Sequence, residues 1–88
     1  MIEYNRKELG QYLKDCRQKS GLTQGEVSNR LGYSSPQFVS NIERGTSVAP
    51  IPMLARLMRL YKSNPDDIVE IILRTQKLIV RKGLKAKR

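Results

Sequence analysis

Residues 23–45, TQGEVSNRLGYSSPQFVSNIERG, decide how this chain is read. Thr23 is a strong helix N-cap, and Glu26 stands three residues later. That is capping-box spacing, in which each side chain satisfies a backbone N–H left open by the first turn. Leu22 and Val27 take the flanking staple positions. Val27 and Leu31 then recur at i, i+4, and Gly32 stands where a helix can exit through a left-handed residue. Ser34 or Ser35 can cap a second helix, whose first turn suits Pro36. Phe38, Val39 and Ile42 form its buried side, and Gly45 stops it. The spacing predicts helices over about 23–31 and 36–44.

Two helices this short, joined by so tight a turn, cross steeply and leave one face of the second uncovered. This is the helix-turn-helix arrangement. The uncovered face carries Gln37, Ser40, Asn41 and Arg44, donors and acceptors of the kind that read base edges or phosphates. On an arbitrary helix such residues are ordinary solvated surface. Here the caps and the turn favour recognition.

LTQGEVSNRLG followed by VSNIERG resembles the Cro/phage-repressor type of helix-turn-helix domain, the XRE-like family, over roughly Leu9 to Asp67. The resemblance implies an all-α fold, a compact five-helix bundle, and a sequence-specific transcriptional regulator of double-stranded DNA. It implies that Gln24, first in helix two, contacts a phosphate. Aligned backward from Gly45, the family's base-reading positions fall on Pro36, Gln37 and Asn41. Pro36 has no hydrogen-bonding side chain, so that contact is lost or passes to Ser35. Gln37 and Asn41, with Ser35 and Ser40, are the expected base readers. Arg44, Thr46, Ser47 and the helix-one cations Arg17 and Lys19 are expected on the sugar–phosphate backbone. The family also links the ends of helices one and three by an ion pair, at positions that here are Arg17 and Glu43. The turn Gly32-Tyr33-Ser34-Ser35-Pro36 is one residue longer than usual, which leaves the start of the recognition helix open by one position.

Working outward, Asn5 and Glu8 form a second cap, with Tyr4 and Leu9 at its staple positions. Leu9, Leu13 and Cys16 make the stripe of helix one, about 5–19, which Gly21 ends. Pro50 or Pro52 starts a fourth helix running through about Tyr61. Asn64-Pro65-Asp66-Asp67 starts a fifth, with a cap, a proline and two acids at the positive end of the helix dipole. Gly83 is expected to break it after about Arg81. The expected division is then one domain over 1–82 and a mobile basic tail over 83–88.

Eighty-eight residues make one small domain with a modest core. The net charge is +9, but from Ile71 onward there are seven basic residues and no acidic ones. Residues 1–70 therefore hold ten basic against eight acidic groups, +2. Charge alone does not identify a DNA-binding domain; the motif does. One cysteine and no histidine exclude a disulfide framework and a Cys/His metal site within the chain. Cys16 falls in step with Leu9 and Leu13, as a buried thiol would. No nucleophile elbow, phosphate loop or ligand set is present, so no enzyme, cofactor or small-molecule ligand is expected. No apolar segment is long enough for a leader or a membrane span, so a cytoplasmic bacterial or phage protein is expected.

The fifth helix carries two apolar stripes. Ile68, Ile71, Ile72, Thr75, Leu78 and Ile79 form one; Val69, Leu73 and Val80 form another. One stripe suffices to dock a terminal helix, so the second predicts a homodimer through Val69, Ile72, Leu73 and Val80. The alternatives are a long helix that wraps the core and buries both stripes, or an adaptor or antitoxin that binds another protein. RNA binding through the basic end is weakened by the scarcity of aromatics for stacking.

Overall fold

A computed structural model describes residues 4–86. Five helices follow in order: α1 (Arg6–Lys19), α2 (Gln24–Arg30), α3 (Gln37–Arg44), α4 (Ile51–Tyr61) and α5 (Pro65–Ala86). The five-helix, all-α architecture is the one the sequence implies.

The caps form as read. Asn5 Oδ1 accepts from the Glu8 N–H at 3.0 Å. Thr23 Oγ1 accepts from the Glu26 N–H at 3.1 Å, while Glu26 Oε1 accepts from the Thr23 N–H at 2.9 Å. Asn64 Oδ1 accepts from the Asp66 N–H at 2.9 Å and opens α5. Tyr4 ties the chain start to the loop before α4: its hydroxyl accepts from the Ala49 N–H at 2.9 Å.

The core is aliphatic. Leu9 and Leu13 of α1, Val27 of α2, Val39 and Ile42 of α3, Leu54, Leu57 and Met58 of α4, and Ile68 and Ile71 of α5 are all buried. The closest helix contact lies between α1 and α3. A Cβ built on Gly10 would stand 2.5 Å from the backbone oxygens of both Ile42 and Glu43. Only a residue without a side chain lets the two backbones approach this way. Ser28 is equally confined, at 1% exposure, and its size is what α2 needs there.

The ends of helices one and two fall within one residue of the sequence reading, and two further differences bear on the site. Helix three starts at Gln37, and Pro36 stands before it at φ −77°, ψ 0°, with no side-chain cap. The extra turn residue is absorbed by Tyr33, whose N–H bonds the Ser28 carbonyl at 2.9 Å and whose ring stacks on Phe38, centroids 4.6 Å apart. Helix five does not stop at Arg81; it runs through Gly83 to Ala86. One glycine costs a helix about 1 kcal/mol, which the good helix formers around Gly83 offset. Of the supposed tail, Gly83 to Ala86 are therefore helical, and Lys87 and Arg88 lie outside the described residues.

α5 docks by its first half. Asn5 donates its N–H to Thr75 Oγ1 at 3.0 Å, Tyr12 donates its hydroxyl to Asp67 Oδ2 at 3.0 Å, and Arg74 pairs with Glu8. Burial, then the bonds to Cys16 and Asp67, push the Tyr12 phenol well above its ordinary value, so it stays a donor. Beyond Gln76 the helix leaves the core: Leu78, Ile79, Val80 and Leu84 are exposed. The wrapping helix that would have buried both stripes is not what forms. The molecule is 51 Å long and about 20 Å across, with extents of 51 × 23 × 19 Å.

Candidate nucleic-acid interface

Beneath the interface lies a buried ion pair. Arg17 Nε meets Glu43 Oε2 at 2.7 Å and Arg17 Nη2 meets Glu43 Oε1 at 3.1 Å, a bidentate fork. The remaining guanidinium nitrogen, Nη1, donates to the Leu22 carbonyl at 2.9 Å. The bond to Glu43 raises the Arg17 pKa further above its ordinary value, against the opposing effect of burial. Gln24 Nε2 donates to Glu43 Oε1 at 2.9 Å. One carboxylate thus joins α1, α2 and α3 through three donors.

This corrects the expectation for Arg17. Its side chain is 11% exposed and each of its guanidinium nitrogens has a protein acceptor, so it braces the interface from behind rather than reaching a phosphate. Gln24 is half-buried, and its second amide hydrogen remains available at the start of α2.

The outward face of α3 is also internally bonded. Asn41 Oδ1 accepts from Gln37 Nε2 at 2.8 Å and from Arg44 Nη2 at 2.6 Å. The spacings are i−4 and i+3, so the three side chains form one row along the helix. Ser40 is half-buried beside them, and Ser35, exposed in the turn, accepts weakly from the Gln37 N–H at 3.4 Å. Thr46 closes the end of α3, its hydroxyl donating to the Asn41 carbonyl at 3.0 Å. Ser47 follows it, half-buried, with its N–H on the same carbonyl at 3.3 Å.

Two cations that sequence reading passed over belong here. Lys7, Gln11 and Lys14 recur at i, i+4, i+7 on α1, and with Gln24, Glu43 and Arg44 they line one crevice. The signal was available as helical spacing, but the partner face on α3 was not. Lys19 is exposed at the other end of α1, apart from this crevice.

The geometry is that of two short helices, the second exposed along a polar row and flanked by basic side chains. A family model described as a helix-turn-helix domain matches residues 8–70. The chain belongs to that helix-turn-helix family. Helix-turn-helix domains of this build bind DNA through the second helix, and the chain is accordingly a DNA-binding protein of this class. No curated protein matches its sequence. The fold is similar to that of the crystal structure of the clp gene regulator ClgR from Corynebacterium glutamicum. The two are 22% identical over 99% of this chain and 92% of that one, with a TM-score of 0.69. A likeness at that identity is one of fold. No described helix of this helix-turn-helix protein is long and apolar enough to cross a membrane.

Proposed function

We propose that the protein is a sequence-specific transcriptional regulator that lays α3 in the major groove and acts as a homodimer on two half-sites. The observation that carries this is the bonded row Gln37–Asn41–Arg44 on the open face of α3. Side-chain amides pair bidentately with adenine, and a guanidinium with guanine or a phosphate. Lys7, Lys14 and Arg44 lie where phosphates would flank that helix, and Gln24 offers a donor from the start of α2. The ClgR likeness supports the same reading, since that protein is a gene regulator. A recognition helix of two turns reads few base pairs, so a two-fold pair is needed to define a site.

Selection of bound sequences from random duplex DNA tests this. A two-fold symmetric motif is expected. Replacing Gln37 or Asn41 with Ala should then cost about 1–3 kcal/mol on the selected site and little on random DNA. Equal losses on both would make these side chains backbone contacts. No enriched motif would favour the protein-binding adaptor.

A further inference from the structure

The uncovered face of α5 has a regular pattern. Val69, Leu73, Gln76 and Val80 follow one another at spacings of four, three and four residues, with Leu84 four further on. This is the heptad seam along which helices pair. It lies opposite Ile71, whose side chain enters the core, and Val69, Leu73, Val80 and Leu84 are each at least 50% exposed. The seam is continuous with an apolar groove of about 670 Å³ between α4 and α5. Val69 belongs to both, and Ile51, Met58, Pro65 and Ile72 line the groove beside it.

Charge is distributed unevenly along the same helix. Its first two turns carry Asp66, Asp67 and Glu70; its far half carries Lys77, Arg81, Lys82 and Lys85 and no acid. Two such helices laid parallel would set like charge against like. Laid antiparallel, each acidic end meets a basic one. Arg74, between the two blocks, is engaged by Glu8 of its own chain.

We infer that a second copy of this chain docks on this face, α5 antiparallel to α5, with the two-fold axis passing between Arg74 and Thr75. This rests on the dimer reading above and adds its register. Val69 faces the second copy's Val80, and Leu73 faces the second copy's Gln76, each contact occurring twice. Leu84 of the second copy reaches the level of Pro65, on the flank that carries Glu70 and Lys77. Glu70 lies beside the second copy's Lys77 on both sides of the axis. The free half of α5 is then an arm that lies along its neighbour.

Cysteine cross-linking reads the register directly. In a Cys16→Ala background, an oxidised mixture of Val69→Cys and Val80→Cys proteins should give a disulfide dimer joining 69 to 80. Each variant alone should remain largely unlinked. A strong 69–69 link in the Val69→Cys protein would overturn the antiparallel register while leaving a dimer. Glu70→Lys should raise the dimer dissociation constant on the order of tenfold, and Glu70→Lys with Lys77→Glu should restore it. Equal weakening by the single and double variants would refute the charge pairing. All four positions are exposed, so folding is preserved, and circular dichroism checks it. A wild-type protein that sediments as a monomer at micromolar concentration, free and on DNA, would overturn this proposal and the dimer together. Failure to select a DNA motif with the dimer intact would touch only the DNA reading.

Discussion

The junction of α1, α2 and α3 and the far half of α5 are built in opposite ways. At the junction, backbones touch at Gly10 and a buried carboxylate has three donors. On α5 beyond Gln76, apolar side chains stand in water and Gly83 has open space around it. The first region has one arrangement, fixed by close backbone approach and by the geometry of a buried ion pair. The second is a regular helix whose apolar side chains are exposed. The first gives the recognition helix a rigid frame; the second is the face on which the proposed second copy docks.

Breaking the junction should have the largest effect. Glu43→Ala strands the Arg17 guanidinium and leaves Gln24 unpaired, and should cost about 3–5 kcal/mol in denaturant unfolding. Removing Arg17 and Glu43 together, as Arg17→Met with Glu43→Leu, should cost less than Glu43→Ala alone. The exposed pair of Arg74 with Glu8 gives the contrast, at about 0–1 kcal/mol for Glu8→Ala. A double-mutant cycle showing no coupling between Arg17 and Glu43 would remove the distinction between the regions.

Two glycines sharpen the comparison at smaller scale. Gly10→Ala pushes a methyl against the Ile42 and Glu43 carbonyls and should destabilise by about 1–3 kcal/mol. Gly83→Ala adds a methyl to open space inside a helix and should stabilise α5 by about 0.5–1 kcal/mol. Thermal melts of the two proteins should move in opposite directions; shifts of the same sign would contradict the packing described.

The smallest effect is at the α2 cap. The bonds from the backbone and side chain of Thr23 hold the Glu26 carboxyl below its ordinary value of 4.5. The folded state therefore favours the ionised form. Its contribution is present above pH 4.5 and is lost as pH falls through the depressed folded value. Glu26→Gln should flatten that acid limb in melts taken from about pH 7 down to about pH 3, without altering the recognition face. An unchanged acid limb would mean the cap contributes nothing.

What could be read from sequence were the local devices. Thr23 with Glu26, Asn5 with Glu8, and Asn64 before Pro65 each signal a helix start within a few residues, and each formed. The Arg17–Glu43 pair came from resemblance, and only the three-dimensional fold shows that it excludes Arg17 from phosphate contact. Gly10 carries no signal of its role in the sequence, because a close approach between helices about 30 residues apart leaves no local pattern. Gly83 looked like a stop, because sequence displays its propensity more plainly than the helix formers that outweigh it. Lys7 and Lys14 became relevant only once α3 was seen to lie beside them.

The row along α3 bears on how such a protein would search a genome. In the free molecule Asn41 Oδ1 is already occupied by Gln37 and Arg44. For the Asn41 amide to pair bidentately with adenine, as proposed, Oδ1 must exchange one of those bonds for a bond to the base. On the proposed reading, a base edge of the wrong pattern offers no replacement for those bonds, and the row keeps them. On the proposed base-reading role, the bonded row sets a cost on leaving the closed arrangement that only a matching base edge offsets.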